Sequence, residues 1–119
     1  VIDFHAEATS EKVAFGRFVD GKVSAVVGTH THIPTADAKI LPKGTAYISD
    51  VGMTGSHDSV IGMKLDSSLS RFLTGVPARF EPATEDPRLS SVLLDIDEST
   101  GQAYSIERLE VNSEWTGDD

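Results

Sequence analysis

Three of the four histidines in the sequence follow directly after segments that read as strands: His5, His30 and His32. Neutral imidazole is the commonest metal-binding side chain in proteins. In layered α/β folds the carboxyl ends of the strands meet at one edge of the sheet, where sites assemble. His30 and His32 are two residues apart, so in an extended segment both rings project from the same side. They can hold one ion together or reach two neighbouring ions, with His5 supplying a third nitrogen.

The residues around the histidine pair support the same interpretation. Gly28 precedes the pair and allows the backbone to approach a neighbour closely. Thr29 and Thr31 alternate with the histidines and place hydroxyl groups beside each ring. The fourth histidine, His57, lies in a polar, glycine-containing segment and is predicted to be a solvent-exposed loop residue.

Three neutral imidazoles do not complete a site for a hard divalent or trivalent cation, which normally also binds carboxylate oxygens. The acidic residues near the predicted strand ends are Asp3, Glu7, Asp37 and Asp50. Asp50 can orient a ligand histidine through a hydrogen bond, but capping of the loop at residues 51–52 is the favoured interpretation. Glu7 and Glu11 are interpreted as charges at the N-terminus of a helix.

The elements that position these residues are predicted from hydrophobic periodicity and turn residues. The predicted strands cover residues 1–4, 22–27, 38–41, 45–51, 91–97 and 102–111, and the predicted helices cover residues 9–21 and 59–73. Residues 52–58 and 78–89 are expected to be irregular. This order favours an α/β layered domain with a mixed sheet and a C-terminal antiparallel β-hairpin.

The two helices are predicted in more detail from their ends and apolar positions. Thr9 or Ser10 is expected to cap the first helix, and Gly21 is expected to end it in a left-handed conformation. Its apolar stripe is predicted at residues 14, 15, 18 and 19. The second helix is expected to end at Gly75 and to carry one apolar side, formed by Ile61, Leu65, Leu69, Phe72 and Leu73.

Composition excludes several classes of protein. The 119 residues contain no cysteine, so disulfides and thiolate metal sites are excluded, which fits a cytoplasmic protein. No apolar run approaches the roughly 20 residues that cross a bilayer. Ten basic and 19 acidic residues give a net charge of −9, which argues against duplex nucleic acid as a partner. A small phosphorylated substrate remains compatible with this charge if bound cations reverse the local field.

Five segments resemble one protein family in the correct order along the chain. They are DFHAEATSEK at residues 3–12, VVGTHTHIPTAD at residues 26–37, GTAYISDVGMTG at residues 44–55, DSVIGM at residues 58–63 and RFLTG at residues 71–75. These segments closely resemble the C-terminal half of the YmdB-like metallophosphoesterases, which are similar to the wider calcineurin-like superfamily. The resemblance covers most of residues 1–111.

The resemblance implies a four-layer α/β/β/α sandwich with two divalent or trivalent metal ions, whether iron, manganese or zinc. Such enzymes hydrolyse phosphodiesters, 2′,3′-cyclic nucleotides among them. By resemblance, His5, His30 and His32 are the three histidine ligands. The aspartate, bridging glutamate and asparagine ligands, and the histidine general acid, belong to N-terminal motifs that have no counterpart here. No catalytic residue is therefore assigned in this chain.

We therefore expect residues 1–111 to be the C-terminal portion of a metallophosphoesterase domain, followed by a polar acidic tail at residues 112–119. The chain opens at Val1 on a strand and without methionine, which indicates a piece of a longer protein, although a processed or trimmed terminus is an alternative. The expected partners are the N-terminal half of the same protein and further copies in a homo-oligomer.

Two alternatives to a phosphodiesterase portion remain open at this point. In the first, the three histidines hold a single metal ion in a binding or interaction module. In the second, the chain is an α/β domain without chemistry of its own.

Overall fold

A computed structural model describes residues 1–114 of the chain, which divide into two compact units. The first unit comprises residues 1–52 and 90–109, and the second comprises residues 53–89 and the described residues from 110 onward. The elements are β1 (Ile2–His5), α1 (Thr9–Val19), β2 (Ala25–Thr29), β3 (Lys39–Ile40), β4 (Ala46–Ile48), β5 (Gly55–Ser56), α2 (Leu65–Thr74), β6 (Pro87–Ile96) and β7 (Ala103–Asn112).

The first unit contains a four-stranded sheet with the order β1-β2-β4-β3. β1 and β4 both run parallel to the central strand β2, whereas β3 runs antiparallel to β4. The predicted mixed sheet is therefore confirmed. The register pairs His5 with Thr29, so that β1 and β2 end at the same level. This register brings the residues after both strands to one edge of the sheet.

The two faces of this sheet are covered by different elements. Val26 and Tyr47, which pair in register, face α1 and pack with Phe15 and Val19. The preceding residues of the same strands, Ala25 and Ala46, point to the opposite face because side chains alternate along a strand. There they pack against residues of β6 and β7, namely Leu94, Ile96, Ala103 and Ile106. The first unit thus has a helix, a sheet and a hairpin in successive layers, as the predicted α/β fold requires.

The predicted N-terminal cap and inner face of α1 need correction. Its N-cap is Ala8, and no side chain bonds to the free backbone amides there, so the caps predicted at Thr9 and Ser10 are wrong. The predicted left-handed conformation of Gly21 is confirmed, with a φ of 83°. Of the predicted apolar stripe, Phe15 and Val19 pack against the sheet, whereas Ala14 is exposed and Phe18 is 73% exposed. The stripe therefore marks only half of the buried side.

The buried side of α1 follows a different helical row. Its members, spaced as residues that share one helix face, are Lys12, Phe15, Gly16 and Val19. Lys12 can be buried because the carboxylate of Asp50 lies 3.2 Å from its Nζ. Gly16 lies against the ring of Tyr47, where a Cβ atom would come within 2.7 Å of Cδ2. The close packing of the helix on the sheet therefore depends on glycine at position 16.

The second unit contains α2 and the short strand β5, which pairs antiparallel with the first residues of β6. α2 begins at Leu65 rather than at residue 59, because Val60 and Met63 exchange two backbone hydrogen bonds of 2.8 and 2.9 Å in a tight turn. Gly75 ends the helix, as predicted, and has a left-handed conformation with a φ of 70°. The apolar residues expected to form a buried side are exposed by 40–83%: Ile61, Leu65, Leu69, Phe72 and Leu73.

The C-terminal hairpin is confirmed, with a first strand longer than predicted and a second strand of the predicted length shifted by one residue. β6 begins at Pro87, inside the segment expected to be irregular, and β7 continues to Asn112. The polar tail predicted from residue 112 therefore starts inside a strand, and its residues 115–119 lie outside the described part of the chain. Within residues 1–114, no helix combines the length and apolar character needed to cross a membrane.

We expect Gly16→Ala to destabilise the protein. A glycine-to-alanine change inside a helix normally adds up to about 1 kcal/mol of stability. Here the added methyl group meets the buried ring of Tyr47, and overpacking of this kind costs about 1–3 kcal/mol. Urea unfolding measures the difference, and Gly55→Ala is the control because no atom lies within 4 Å of its added Cβ. A Gly16→Ala variant more stable than the parent would contradict this packing.

Candidate metal centre

The structure brings His5 and His30 together at the carboxyl ends of β1 and β2. The Nε2 atom of His5 lies 3.3 Å from the Nδ1 atom of His30, and the two rings meet edge to face with centroids 5.2 Å apart. Both residues are exposed to solvent. The parallel register of the strands produces this contact, because His5 pairs with Thr29 and His30 is the next residue.

Thr29 fixes the orientation of the His5 ring. Its hydroxyl group donates a hydrogen bond of 2.8 Å to Oδ1 of Asp3, and its oxygen lies 3.0 Å from Nδ1 of His5. Since the hydroxyl proton is directed to Asp3, the oxygen accepts a hydrogen bond from Nδ1–H of His5. The Nε2 atom of His5 then carries the lone pair and points towards His30. Carboxylate-assisted orientation of this kind is common behind metal-binding histidines.

The distance between the two facing nitrogens fits a shared metal ion. Two ligands that each lie about 2.1 Å from an ion at a tetrahedral angle stand about 3.4 Å apart. The observed separation is 3.3 Å. Among residues 1–114, however, no group of three or more histidine, cysteine, aspartate or glutamate side chains is arranged to hold an ion. The pair alone would supply two ligands, so an ion held there would need further ones.

His32 is not part of this pair, and the extended conformation assumed for residues 30–32 is wrong. β2 ends at Thr29, and the φ angles of His30 and His32 are 139° and 69°. The side chain of Thr31 instead binds the backbone of Ile33 through both an accepted and a donated hydrogen bond. A curved loop does not place alternate side chains on one side, so His32 as a metal ligand stays a prediction.

Asp50 binds the loop of residues 30–32 from below. It is 1% exposed, and its Oδ2 atom accepts hydrogen bonds from the backbone N–H of Thr31 at 2.8 Å and from Nζ of Lys12 at 3.2 Å. Its Oδ1 atom accepts a bond of 2.9 Å from the N–H of Gly52, which confirms the predicted loop cap. Burial raises the pKa of Asp50, but the hydrogen bonds from Thr31, Gly52 and Lys12 outweigh it and hold the pKa below its ordinary value.

The other acidic residues considered from the sequence do not join the histidine pair directly. Asp37 accepts hydrogen bonds from the backbone and side chain of Ser49 and from Thr35, which lower its pKa against the opposing effect of burial. Glu7 is exposed, and Glu11 lies in the first turn of α1, as predicted. Asp3 is connected to His5 through the hydroxyl group of Thr29.

His57 is more enclosed than predicted. Its side chain is 18% exposed, and its Nδ1 atom lies 3.4 Å from Oε1 of Glu110. The Nε2 atom lies 3.5 Å from the carbonyl oxygen of Met53. The prediction of a solvent-exposed residue is wrong because Glu110, more than fifty positions later in the sequence, returns to this loop within the second unit.

Lys12 is the residue of this region that the sequence reasoning missed. A lysine in a helix is ordinarily solvent-exposed. Its position in the helix could have indicated burial, because Lys12 shares one face of α1 with Phe15, Gly16 and Val19, which are apolar or small. A buried lysine also requires an anionic partner, and Asp50 was the acidic residue placed beside the histidines.

Comparison with known proteins matches nearly the whole chain to one family. The family described as YmdB-like protein matches residues 1–109. A 2′,3′-cyclic-nucleotide 2′-phosphodiesterase of Bacillus subtilis is 57% identical over 113 residues, which cover 95% of this chain and 43% of that protein.

Two solved structures share the fold at similar coverage. A phosphatase from Mycoplasma pneumoniae has a TM-score of 0.88 and 42% identity, over 94% of this chain and 40% of that one. A protein from Thermus thermophilus has a TM-score of 0.86 and 46% identity, over 92% of this chain and 43% of that one. The chain thus spans less than half the length of these relatives.

We expect Thr29→Val to release the His5 ring from its fixed tautomer. The valine side chain has a similar shape but cannot connect Asp3 to Nδ1 of His5. Proton–nitrogen correlation spectra of the metal-free protein at alkaline pH are expected to show His5 protonated at Nδ1 in the parent and a mixture in the variant.

Thr100→Val is the matched control, because its hydroxyl accepts a hydrogen bond from Gln102 in the hairpin turn and contacts no histidine. A parent protein with His5 protonated at Nε2 would contradict the orientation derived from Thr29.

Proposed function

The chain belongs to the YmdB-like family, and on that premise we propose that it supplies one half of a metal-dependent phosphodiesterase. The observation that carries the proposal is the pair of ring nitrogens, one from His5 and one from His30, that face each other across 3.3 Å. The relative from Bacillus subtilis is named as a 2′,3′-cyclic-nucleotide 2′-phosphodiesterase. We propose the same class of substrate for the protein that contains this chain.

The metal ligands of the proposal divide between two ions. His5 and His30 bind one ion through their facing nitrogens, and His32 binds the second. We propose that an N-terminal half supplies the carboxylate and asparagine ligands and the general acid, as the resemblance to the family implies. When bound, iron, manganese or zinc ions supply Lewis acidity, lower the pKa of bound water and neutralise the charge of the phosphate.

The charge of the chain supports a role for cations in substrate binding. A net charge of −9 repels an anionic phosphodiester. Asp3 accepts a hydrogen bond from Thr29, which contacts the His5 ring, and its negative charge adds to that repulsion. Bound cations reverse the local field and allow a phosphate to approach. We therefore expect this edge of the sheet to bind an anionic substrate only when metal cations are bound there.

The expected partners remain part of the proposal. Among the described strands, β1 pairs only with β2 and forms an edge of the sheet, where a further strand of an N-terminal half can add by backbone hydrogen bonds. The exposed apolar residues of α2 offer surface for a second copy or for that half. Sedimentation of the complete protein measures its oligomeric state.

We expect His5→Ala and His30→Ala in the complete protein to lower kcat/KM for a 2′,3′-cyclic nucleotide by orders of magnitude. Each variant removes one of the two facing nitrogens and should reduce the metal content measured by elemental analysis. His57→Ala is the matched control, because its ring pairs with Glu110 in the other unit.

The metal content of the parent also separates the proposal from the single-ion alternative. Two ions per complete chain support the dinuclear centre, and one ion supports a site shared by the three histidines. Unchanged turnover of His5→Ala and His30→Ala at saturating metal would overturn the ligand assignment.

A further inference from the structure

We infer that Lys12 and Asp50 are positioning residues that hold the histidine loop, residues 30–32, in the conformation that binds metal. The inference rests on the proposed function, because it takes His30 as a metal ligand. Neither residue contacts the ion in this account. They act through the backbone of Thr31, which joins the two histidines.

The histidine loop adopts a backbone conformation that its residues do not favour. His30 and His32 have φ angles of 139° and 69°, in the left-handed half of conformational space. Side chains with a Cβ atom rarely adopt these angles, and such residues persist only where surrounding contacts enforce them. The loop therefore needs a fixed contact between the two histidines.

That contact is the hydrogen bond from Thr31 to Asp50. The backbone N–H of Thr31 lies between the two histidines and donates to Oδ2 of Asp50 over 2.8 Å. The other oxygen of Asp50 accepts from the N–H of Gly52. A Cβ atom at Gly52 would lie 2.7 Å from Cδ of Pro34, so the segment after Asp50 is itself tightly packed. The carboxylate is thus a fixed point to which the histidine loop is attached.

Lys12 makes this arrangement possible by neutralising the buried carboxylate. The side chains of Lys12 and Asp50 are each 1% exposed, and a buried carboxylate without a cation carries a large desolvation penalty. Lys12 comes from the inner face of α1, so the ion pair connects the helix to the loop. Gly28 leaves room for it, since a Cβ there would lie 3.0 Å from Cδ of Lys12 and 1.7 Å from the carbonyl oxygen of Ser49.

The same contacts argue against a direct role of the Asp50 carboxylate as a metal ligand. Three donors occupy its two oxygens, and the side chain lies beneath the loop rather than at its surface. Asp50 therefore affects metal binding indirectly, by fixing the position of the histidines.

The test uses Asp50→Asn in the complete protein, titrated with Mn²⁺ and followed by the electron paramagnetic resonance signal of the free ion. An asparagine side chain has one acceptor oxygen, so it cannot accept the hydrogen bonds from Thr31 and Lys12 and also the one from Gly52. We expect the Kd for Mn²⁺ to rise by about 10–100-fold, the effect typical of residues that orient metal ligands. Excess Mn²⁺ should restore turnover, because the ion selects the competent loop conformation.

The second variant is the double substitution Lys12→Met/Asp50→Asn. Asp50→Asn alone leaves the buried charge of Lys12 unpaired, whereas the double variant contains no unpaired buried charge. We therefore expect the double variant to fold even if Asp50→Asn fails to fold. It still lacks the carboxylate and should show the same rise in Kd. Lys64→Met removes an exposed ion pair of 2.9 Å with Glu81, and Asp37→Asn removes a hydrogen-bonded carboxylate that does not bind the loop. Both controls should bind Mn²⁺ with the Kd of the parent.

His30→Ala separates the two proposals. If this variant loses Mn²⁺ while Asp50→Asn and the double variant keep the parent Kd, the positioning role is overturned and the proposed function stands. If His30→Ala binds Mn²⁺ as the parent does, the proposed function fails. A loss in His30→Ala that excess Mn²⁺ does not repair, together with a repairable loss in Asp50→Asn, supports both.

Discussion

The parallel register between β1 and β2 is the constraint on which the candidate site depends. It aligns His5 with Thr29, so that the last residue of one strand and the residue after the other present their ring nitrogens to each other. A shift of one residue would turn His5 to the opposite face of the sheet. The register is itself fixed by packing on both faces of the sheet. Val26 and Tyr47 pack against α1, and the small side chains of Ala25 and Ala46 leave room for β6 and β7 on the other face.

The residues around and below the histidines depart from the usual preferences of helices and loops. A lysine points inward from a helix, an aspartate is buried, and two histidines adopt left-handed angles. Departures from local preference tend to cluster at functional sites, where other contacts offset their cost. Here the buried ion pair, the Thr31 hydrogen bond and the oriented His5 ring occupy one edge of one sheet. The structure of that edge is therefore a connected network rather than a set of independent side chains.

The sequence predicted the elements whose pattern is local and missed the features that depend on distant partners. The apolar runs of β2 and β4 and the alternating hairpin were recognisable, because burial of a strand leaves a direct trace in its residues. The inner face of α1 was not, since Lys12 is buried only because Asp50 lies opposite it. The start of α2 depends on a turn closed by Val60 and Met63, and the enclosure of His57 depends on Glu110. The conformation of residues 30–32 was also missed, because alternation predicts side-chain direction only while the strand continues.

The proposed ion at the edge of the sheet is supported by membership of the YmdB-like family and by the facing nitrogens of His5 and His30. The most direct test is anomalous diffraction from crystals of the complete protein at the absorption edge of its bound metal. We predict an anomalous peak about 2.1 Å from both Nε2 of His5 and Nδ1 of His30. A fully loaded crystal with its metal peaks elsewhere, and with the two rings still hydrogen-bonded to each other, would contradict the account.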